Sequence, residues 1–380
     1  MTNRITISLC MIVKDEEKTL ARCLSSVKDI VDEMIIVDTG STDKTVDIAK
    51  SFNSQIYSFK WIDDFAKARN YAFSKATKEY IFWLDADDYL DEDNIEKFKI
   101  LKETFDRNVD TVTMEYSLNR DVNGNTTYSL KRNRLVKRSK GFKWIGRIHE
   151  YLEVGGISLN SDISVNHGKV KPSGDRNLTI FKKMEEEGEK FSVRDMFYYA
   201  NELYYNGLYE EATKKYEAFL DTKLGWVEDI KTAIANLIQC YTNTNKPEKK
   251  IGIILKSFEF DVPRADICCR LAEIFLSKKQ IKQAIFWYKI AMGCIHEKDN
   301  LGIDNRDYYT WIPSIQLCVC YSILGDYDAA YYYNELTALY GGNIEKVEYN
   351  RKFLKFKFEE LGKTTPDLDY KLIDRRYRFF

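Results

Sequence analysis

The first 170 residues combine two patterns of apolar positions. Short, nearly continuous apolar runs indicate strands covered on both faces, as in a parallel sheet. They alternate with segments of helical spacing, such as the one that carries Leu20, Leu24 and Val27. The predicted strands are residues 5–13 (ITISLCMIV), 34–38 (MIIVD), 55–59 (QIYSF) and 80–84 (YIFWL). Such alternation is typical of βαβ units and predicts an α/β domain, Rossmann-like, with a mostly parallel sheet.

From about residue 109 to 170 the pattern changes. The segments TVTMEYSL and YSLKRNRLVKR alternate apolar and polar residues and are separated by the turn signal Asn123-Gly124. This predicts a hairpin extension or a mixed sheet. After Pro172 helical periodicity runs to the C terminus.

The helical half contains an internal repeat. Residues 206–220, 279–292 and 324–339 each place Ala three positions after an aromatic or apolar residue. The pairs are Tyr209/Ala212, Ile281/Ala284 and Tyr327/Ala330. In two copies a Tyr follows four positions after the Ala, at Tyr216 and Tyr288. The preceding helices carry small residues at equivalent positions, Ala200, Ala272 and Cys318. A degenerate copy spans 233–256. The pattern predicts an all-α, tetratricopeptide-like repeat domain.

Two uses of the Tyr-rich helices are compatible with the sequence. Each single Tyr is best explained as packing between stacked helices, whereas the array as a whole predicts a concave partner-binding or homodimer surface. The predicted organisation is a catalytic domain at 1–175, the repeat domain at 176–365 and a C-terminal tail at 366–380.

The composition limits the classes of partner that the protein is expected to bind. The 58 Lys and Arg nearly balance the 59 Asp and Glu, which favours neither nucleic acid nor an anionic membrane surface as a partner. The apolar runs are shorter than the ~20 residues of a membrane span, and the N terminus lacks a signal-peptide pattern. We therefore expect a cytoplasmic protein whose eight Cys are reduced core thiols.

Acidic residues follow the predicted strand at 80–84. Ligands of open α/β sheets bind at the carboxyl ends of strands. Asp85 and Asp87 flank the small Ala86, so in an extended chain their side chains point the same way. Two carboxylates suffice for Mg²⁺ or Mn²⁺ when a diphosphate completes the coordination. Capping of the next helix explains Asp91 and Asp93, leaves Asp88 ambiguous, and does not explain Asp85.

A second acidic strand end lies in VDTGSTD, where Asp38 precedes a tight turn. Taken alone, this segment is equally well explained as a turn with an N-cap. Both acidic ends are predicted to lie on the same edge of the sheet.

Four motifs in this order carry a resemblance: ISLCMIVKDEEKTLARCLSS, IIVDTGSTDKT, FAKARNYAFSKA and WLDADD. Together they resemble family 2 glycosyltransferases of the GT-A fold. WIGRIHEYL, VNHGKV and Arg176-Asn177 resemble a bacterial subgroup fused to tetratricopeptide repeats, which includes sublancin-type peptide S-glycosyltransferases and lipopolysaccharide-core enzymes. The resemblance covers about residues 5–180, and this chain has Asp15 where the subgroup commonly has Asn.

The resemblance implies roles for named residues. Asp38 would contact the base or ribose of a UDP-sugar, Arg69 the uracil or diphosphate, and Asp85, Ala86 and Asp87 the metal-bound diphosphate. His167 would be a third metal ligand or a phosphate contact, and without the resemblance it would be explained as a turn residue before Gly168. Trp144 and Trp61 could stack on a sugar or acceptor, although core packing explains Trp61 equally well. Glu150 is the first candidate for the base that activates the acceptor, and His149 the second.

The predicted activity is inverting transfer of a sugar from a UDP-sugar, with Mg²⁺ or Mn²⁺, to a Cys or Ser side chain of a peptide or protein. A glycan or lipopolysaccharide-core acceptor is the alternative. An interaction protein with a degenerate nucleotide-binding domain is the alternative from another class, and a nucleotidyltransferase is disfavoured because no Gly-rich phosphate loop is present near the N terminus.

Overall fold

The computed structural model describes residues 4–120, 126–168, 175–295 and 305–367. The chain divides into two compact units, Met1–Lys190 and Phe191–Phe380. The Asn123-Gly124 turn and most of the predicted tail lie outside the described residues. The functional boundary at residue 175 stays a prediction.

The first unit is an α/β structure. Its strands are β1 (Ile7–Val13), β2 (Glu33–Asp38), β3 (Gln55–Ser58), β4 (Tyr80–Trp83), β5 (Asp88–Tyr89), β6 (Thr111–Arg120), β7 (Thr126–Lys137), β8 (Lys143–Ile145), β9 (Tyr151–Glu153) and β10 (Ser158–His167). Its helices are α1 (Leu20–Val27), α2 (Thr45–Ser51), α3 (Phe65–Lys75), α4 (Glu92–Thr104) and α5 (Arg176–Glu186).

Eight of these strands form one sheet in the order β3-β2-β1-β4-β7-β6-β10-β5, and β8 pairs separately with β9. Strands β3, β2, β1 and β4 run parallel, β7 is antiparallel to both β4 and β6, and β10 is parallel to β6. The predicted mostly parallel sheet and its hairpin extension are therefore confirmed.

Burial explains why the central strands read as continuous apolar runs. Leu9 and Phe82 belong to the core on one face of the sheet, where α1 and α4 pack. Cys10 and Trp83, their chain neighbours, belong to the core on the other face, which includes α3. Because both faces are covered, every position of β4 is buried.

The loops after β1 and β2 are tied together at the carboxyl edge of the sheet. Thr42 donates its backbone N–H to Asp15 Oδ1 at 2.7 Å, and Glu16 donates its N–H to Thr45 Oγ1 at 2.6 Å. Asp15 has φ +54°, a left-handed conformation that Asn and Asp adopt more readily than other side chains. The carboxylate of Asp15 therefore holds the neighbouring loop in place.

The second unit is helical over the residues that the structure describes. Its helices are α6 (Val193–Tyr205), α7 (Tyr209–Thr222), α8 (Val227–Asn243), α9 (Lys249–Ser257), α10 (Ala265–Ser277), α11 (Ile281–Gly293), α12 (Trp311–Leu324), α13 (Tyr327–Leu339) and α14 (Ile344–Glu360). The helices α7, α11 and α13 carry the repeat motif, and each packs against the helix before it.

The small repeat residues lie where paired helices meet. Each is at most 2% exposed: Ala200, Ala212, Ala272, Ala284, Cys318 and Ala330. Small side chains allow the close helix approach of a repeat pair, and the tetratricopeptide-like prediction is confirmed in kind. Tyr216 is also fully buried, and its hydroxyl donates to Asn201 Oδ1 at 2.6 Å. The packing interpretation of this Tyr therefore holds.

Two further expectations concern thiols and membranes. All eight cysteines are free thiols, and seven of them are buried. Among the described helices, none combines the length and the apolar character that crossing a bilayer requires.

Candidate active site

The residues after β4 form a turn that closes on itself. Asp88 donates its backbone N–H to the Asp85 carbonyl at 3.0 Å, and Asp88 Oδ2 accepts the Asp85 N–H, also at 3.0 Å. Asp88 is fully buried, whereas Asp85 and Asp87 are partly exposed. The α4 N-cap is Asp91, which accepts the Asn94 N–H at 3.1 Å. Asp88 thus stabilises the turn, and the ambiguity about its role in helix capping is resolved.

Strand β10 brings His167 to this turn. His167 Nδ1 lies 3.8 Å from Asp87 Oδ1, 3.6 Å from Asp88 Oδ1 and 2.8 Å from the Tyr116 hydroxyl. Ligand atoms of Asp87, Asp88 and His167 all lie within 4.8 Å of one another. The structure thus groups two predicted metal ligands, Asp87 and His167, with Asp88.

The charges in this cluster affect one another. Asp88, followed by the charges of Asp87 and Asp85, raises the pKa of His167 against the effect of burial. Burial raises the pKa of Asp87, Asp88 and Asp85 add to that rise, and His167 opposes it. A bound cation would therefore stabilise the ionised form of Asp87.

Arg69 links the turn to the predicted base. Its Nη2 donates to Asp85 Oδ1 at 2.7 Å and its Nε donates to Glu150 Oε1 at 2.6 Å. The guanidinium lies against two mutually perpendicular rings, 5.2 Å from the centroid of Trp83 and 4.8 Å from that of Trp144. Burial opposes its charge, but Asp85 and Glu150 outweigh burial and raise the pKa of Arg69. For Asp85, burial raises the pKa, but the charges of Arg69 and Arg134 and the hydrogen bond from Arg69 together lower it.

A cavity of about 160 Å³ lies beside this turn. It is lined by the predicted residues Arg69, Asp85, Ala86, Asp87 and Trp61, and by Ile12, Val13, Lys14, Glu16, Thr39, Phe65 and Arg176. The structure thus brings the acidic strand end, the α3 arginine and the loops after β1 and β2 to one site. Arg176, quoted above only for its motif, extends over the Phe65 ring at 4.6 Å.

Three predicted residues have other surroundings. Asp38 accepts the N–H groups of Gly40 and Ser41, at 3.2 and 3.1 Å, so in this structure its carboxylate stabilises the turn. Trp144 is 4% exposed and packs edge-on against Trp83, so it forms part of the buried packing around Arg69. His149 has φ +49° and stacks on Phe181 of α5. Their contacts with a ligand stay predictions.

Sequence reasoning missed Arg134 and Arg22. Arg134 lies inside the basic run KRNRLVKRSK (131–140), and it is fully buried and pairs with Asp88 at 3.0 Å. Arg22 Nη2 donates to the Asp87 carbonyl at 3.2 Å and to the Gly168 carbonyl at 2.9 Å. A Cβ at Gly168 would lie 1.9 Å from that guanidinium. The strand alternation of 131–137 was the signal that could have indicated an inward-facing Arg134.

Comparison with known proteins defines the class of this site. Residues 8–153 match the family model described as "Glycosyl transferase family 2". This segment holds the strand ends, Arg69, the Asp85–Asp88 turn and Glu150. The first unit therefore contains a family 2 glycosyltransferase domain, as the motif resemblance predicted.

Two curated relatives match parts of the chain. The SPbeta prophage-derived glycosyltransferase SunS of Bacillus subtilis (strain 168) is 33% identical over 226 residues, which cover 54% of this chain and 51% of SunS. A TPR repeat-containing protein of Synechococcus elongatus is 52% identical over 84 residues, which cover 22% of this chain and 21% of that protein. The chain thus spans about half of the first relative and about a fifth of the second.

Solved structures give weaker likenesses. A crystal structure of S. aureus TarS 1-349 in complex with UDP-GlcNAc has a TM-score of 0.34 at 13% identity, covering 89% of this chain and 93% of that chain. Glucosyl-3-phosphoglycerate synthase from Mycobacterium tuberculosis, in complex with Mn²⁺ and UDP-glucose, has a TM-score of 0.35 at 14% identity, covering 50% and 81%. Neither score defines the fold, which rests on the sheet topology above.

Proposed function

We propose that the protein is an inverting, metal-dependent glycosyltransferase that moves a sugar from a UDP-sugar to an acceptor. The observation that carries this proposal is the meeting of Arg69, Asp85, Asp87 and His167 at the carboxyl edge of the sheet, inside the segment that matches the family. Their chemistry suits a sugar diphosphate, which needs both cationic partners and a cation-binding carboxylate.

The residues present fit a divalent cation. Carboxylate oxygens suit Mg²⁺ and Mn²⁺, and imidazole is a further ligand. The buried Asp88 Oδ1 has no hydrogen-bond partner among the described residues, although it lies within the Asp87–Asp88–His167 group. Asp87 and His167 would hold the ion, with Asp88 beside them and Asp85 on the wall of the same cavity. A bound cation would offset the charge that develops on the departing UDP.

The chain's own residues would activate the acceptor. Glu150 Oε1 is bonded to Arg69, and the other carboxylate oxygen has no hydrogen bond within the described part of the chain. That oxygen would take the proton of the acceptor as its sulfur or oxygen bonds to the anomeric carbon and the bond to UDP breaks. Arg69 would fix the orientation of Glu150, and His149 is the second candidate for the base.

A panel of nucleotide sugars tests the donor class. The protein is incubated with UDP-, GDP- and CMP-sugars and with Mn²⁺ or Mg²⁺, and the released nucleotide is measured without any acceptor. We expect slow release of UDP from at least one UDP-sugar, and loss of that release in EDTA. If no UDP-sugar is hydrolysed and no nucleotide raises the melting temperature, the interaction-protein alternative is favoured instead.

The acceptor is proposed to be a Cys or Ser side chain of a peptide or protein, and the stacked helices of the second unit would bind it or form a homodimer. The peptide preference rests on the motif resemblance to the S-glycosyltransferase subgroup. A glycan acceptor is the alternative, and it would appear as transfer to oligosaccharide but not to peptide when the two acceptors are offered with the same UDP-sugar.

A Glu150→Gln variant tests the base together with the acceptor. A thiol with a pKa of about 8.5 is far easier to deprotonate than a hydroxyl. We therefore expect Glu150→Gln to lose much more activity on the Ser version of a peptide than on the Cys version, measured by mass spectrometry of the product. Equal losses on the two peptides would contradict this assignment of the base.

A further inference from the structure

A buried ion pair lies next to the proposed cation site and shares Asp88 with it. Arg134 and Asp88 are both 0% exposed, and Arg134 Nη2 is 3.0 Å from Asp88 Oδ2. The Arg134 guanidinium lies 4.0 Å from the centroid of the Trp83 ring and 4.5 Å from that of Tyr116. Well-packed apolar residues often stabilise a core as much as such a pair does, so stability alone gives a weak reason for it.

The carboxylate of Asp88 connects two parts of the site. Through Oδ2 it accepts the Asp85 N–H, which closes the turn that presents Asp85 and Asp87. Its Oδ1 is 3.6 Å from His167 Nδ1. Arg134 thus holds a group that contacts both the turn and the imidazole.

Arg134 is packed against two aromatic rings. Rings on two strands, Trp83 of β4 and Tyr116 of β6, lie against the guanidinium, and Nη1 donates to the Trp83 carbonyl at 3.4 Å. The turn also concentrates three carboxylates, Asp85, Asp87 and Asp88, within four positions. The charge of Arg134 offsets the repulsion that Asp85 and Asp87 exert on the buried Asp88.

We propose that Arg134 is a positioning residue for the cation site and acts through Asp88. It fixes the Asp88 carboxylate, and Asp88 in turn fixes the distance between Asp87 and His167. This inference rests on the proposed function, because it takes the Asp87–His167 pair as the place where the metal binds. Replacing a residue that contacts a metal ligand but not the metal itself typically weakens metal binding by about 10–100-fold.

The test is a double-mutant cycle on Mn²⁺ binding, read by the electron paramagnetic resonance signal of free Mn²⁺ in the presence of UDP. The variants are Asp88→Asn, Arg134→Met, their combination, and Arg134→Lys. The combination removes both charges, so we expect it to fold even if Arg134→Met alone leaves an uncompensated buried carboxylate and fails to fold. We expect Arg134→Lys and Asp88→Asn each to bind Mn²⁺ about tenfold more weakly or worse.

The cycle separates positioning from direct action. Because Arg134 is proposed to act through Asp88, adding Arg134→Met to Asp88→Asn is expected to change Mn²⁺ affinity less than about threefold. A further tenfold loss in the combination, or an unchanged affinity in Arg134→Lys, would overturn the positioning role. Failure of the wild-type protein to bind Mn²⁺ would instead overturn the proposed metal site itself.

Lys102→Met supplies the matched control. Lys102 is another buried cation of the first unit, 2.7 Å from Asp32, which accepts the N–H of Ile7 at the first residue of β1 and so lies at the opposite edge of the sheet from the turn. Its replacement is expected to lower the melting temperature while leaving Mn²⁺ affinity unchanged. A parallel fall in affinity in this control would mean that the Arg134 effect is general destabilisation, and it would refute the proposal.

Discussion

Replacing Asp87 with Asn is expected to lower the turnover of a UDP-sugar by about a hundredfold or more while leaving the protein at least as stable as wild type. The loss follows because Asp87 is the partly exposed carboxylate nearest to His167 that also lines the cavity. The unchanged or higher stability of the variant follows from the burial of Asp87 and from its repulsion by neighbouring carboxylates. Burial, Asp88 and Asp85 raise the pKa of Asp87, so keeping it ionised in the fold costs free energy at neutral pH, where it is ionised in the unfolded chain.

Turnover of a UDP-sugar tests the predicted loss of activity. Thermal unfolding of the metal-free protein tests the predicted stability. Asp93→Asn makes the same chemical change on the exposed first turn of α4. It is expected to keep full turnover and to change the free energy of unfolding by less than about 1 kcal/mol. Wild-type turnover in Asp87→Asn would exclude this carboxylate from the reaction, and a marked fall in melting temperature would show that it stabilises the fold instead.

The parts of the site that depend on strand ends could be predicted from sequence. A run such as YIFWL must be covered on both faces, and the parallel order puts its carboxyl end beside those of β1 and β2. The acidic residues there consequently lie at the ligand-binding edge. The small residues of the repeat were predictable for a similar reason, since their spacing alone places them where helices meet.

Pairings between distant segments could not be predicted in this way. Arg69 and Glu150 are 81 positions apart, and Arg134 reaches Asp88 only because β7 inserts between β4 and β6. The neighbours of Arg134 are also basic, so the composition of residues 131–140 does not distinguish this one buried side chain from the others. Asp38 shows the opposite case, in which the local turn interpretation accounts for both observed hydrogen bonds.

Arg69 gives the second large expected effect, since one guanidinium holds both the turn and the predicted base. In Arg69→Lys a single ammonium replaces a planar fork, so it cannot keep the bonds to Asp85 and Glu150 together with the contacts to the Trp83 and Trp144 rings. We expect turnover to fall by about a hundredfold. Arg69→Met is expected to lose about 3 kcal/mol of unfolding free energy, because Asp85 and Glu150 would face each other without a cation.

The comparison of variants shows which of these contacts matters for the reaction. Removing both charges in Arg69→Met/Glu150→Gln is expected to recover much of the stability and none of the turnover, because the geometry that orients the base is still absent. Arg147→Lys is the control, since Arg147 pairs with Glu187 and Glu189 near the same loop and such outer ion pairs contribute little. Urea unfolding and UDP release measure the two effects. Full turnover in Arg69→Lys would mean that charge alone suffices at this position and that the fork has no role in orienting Glu150.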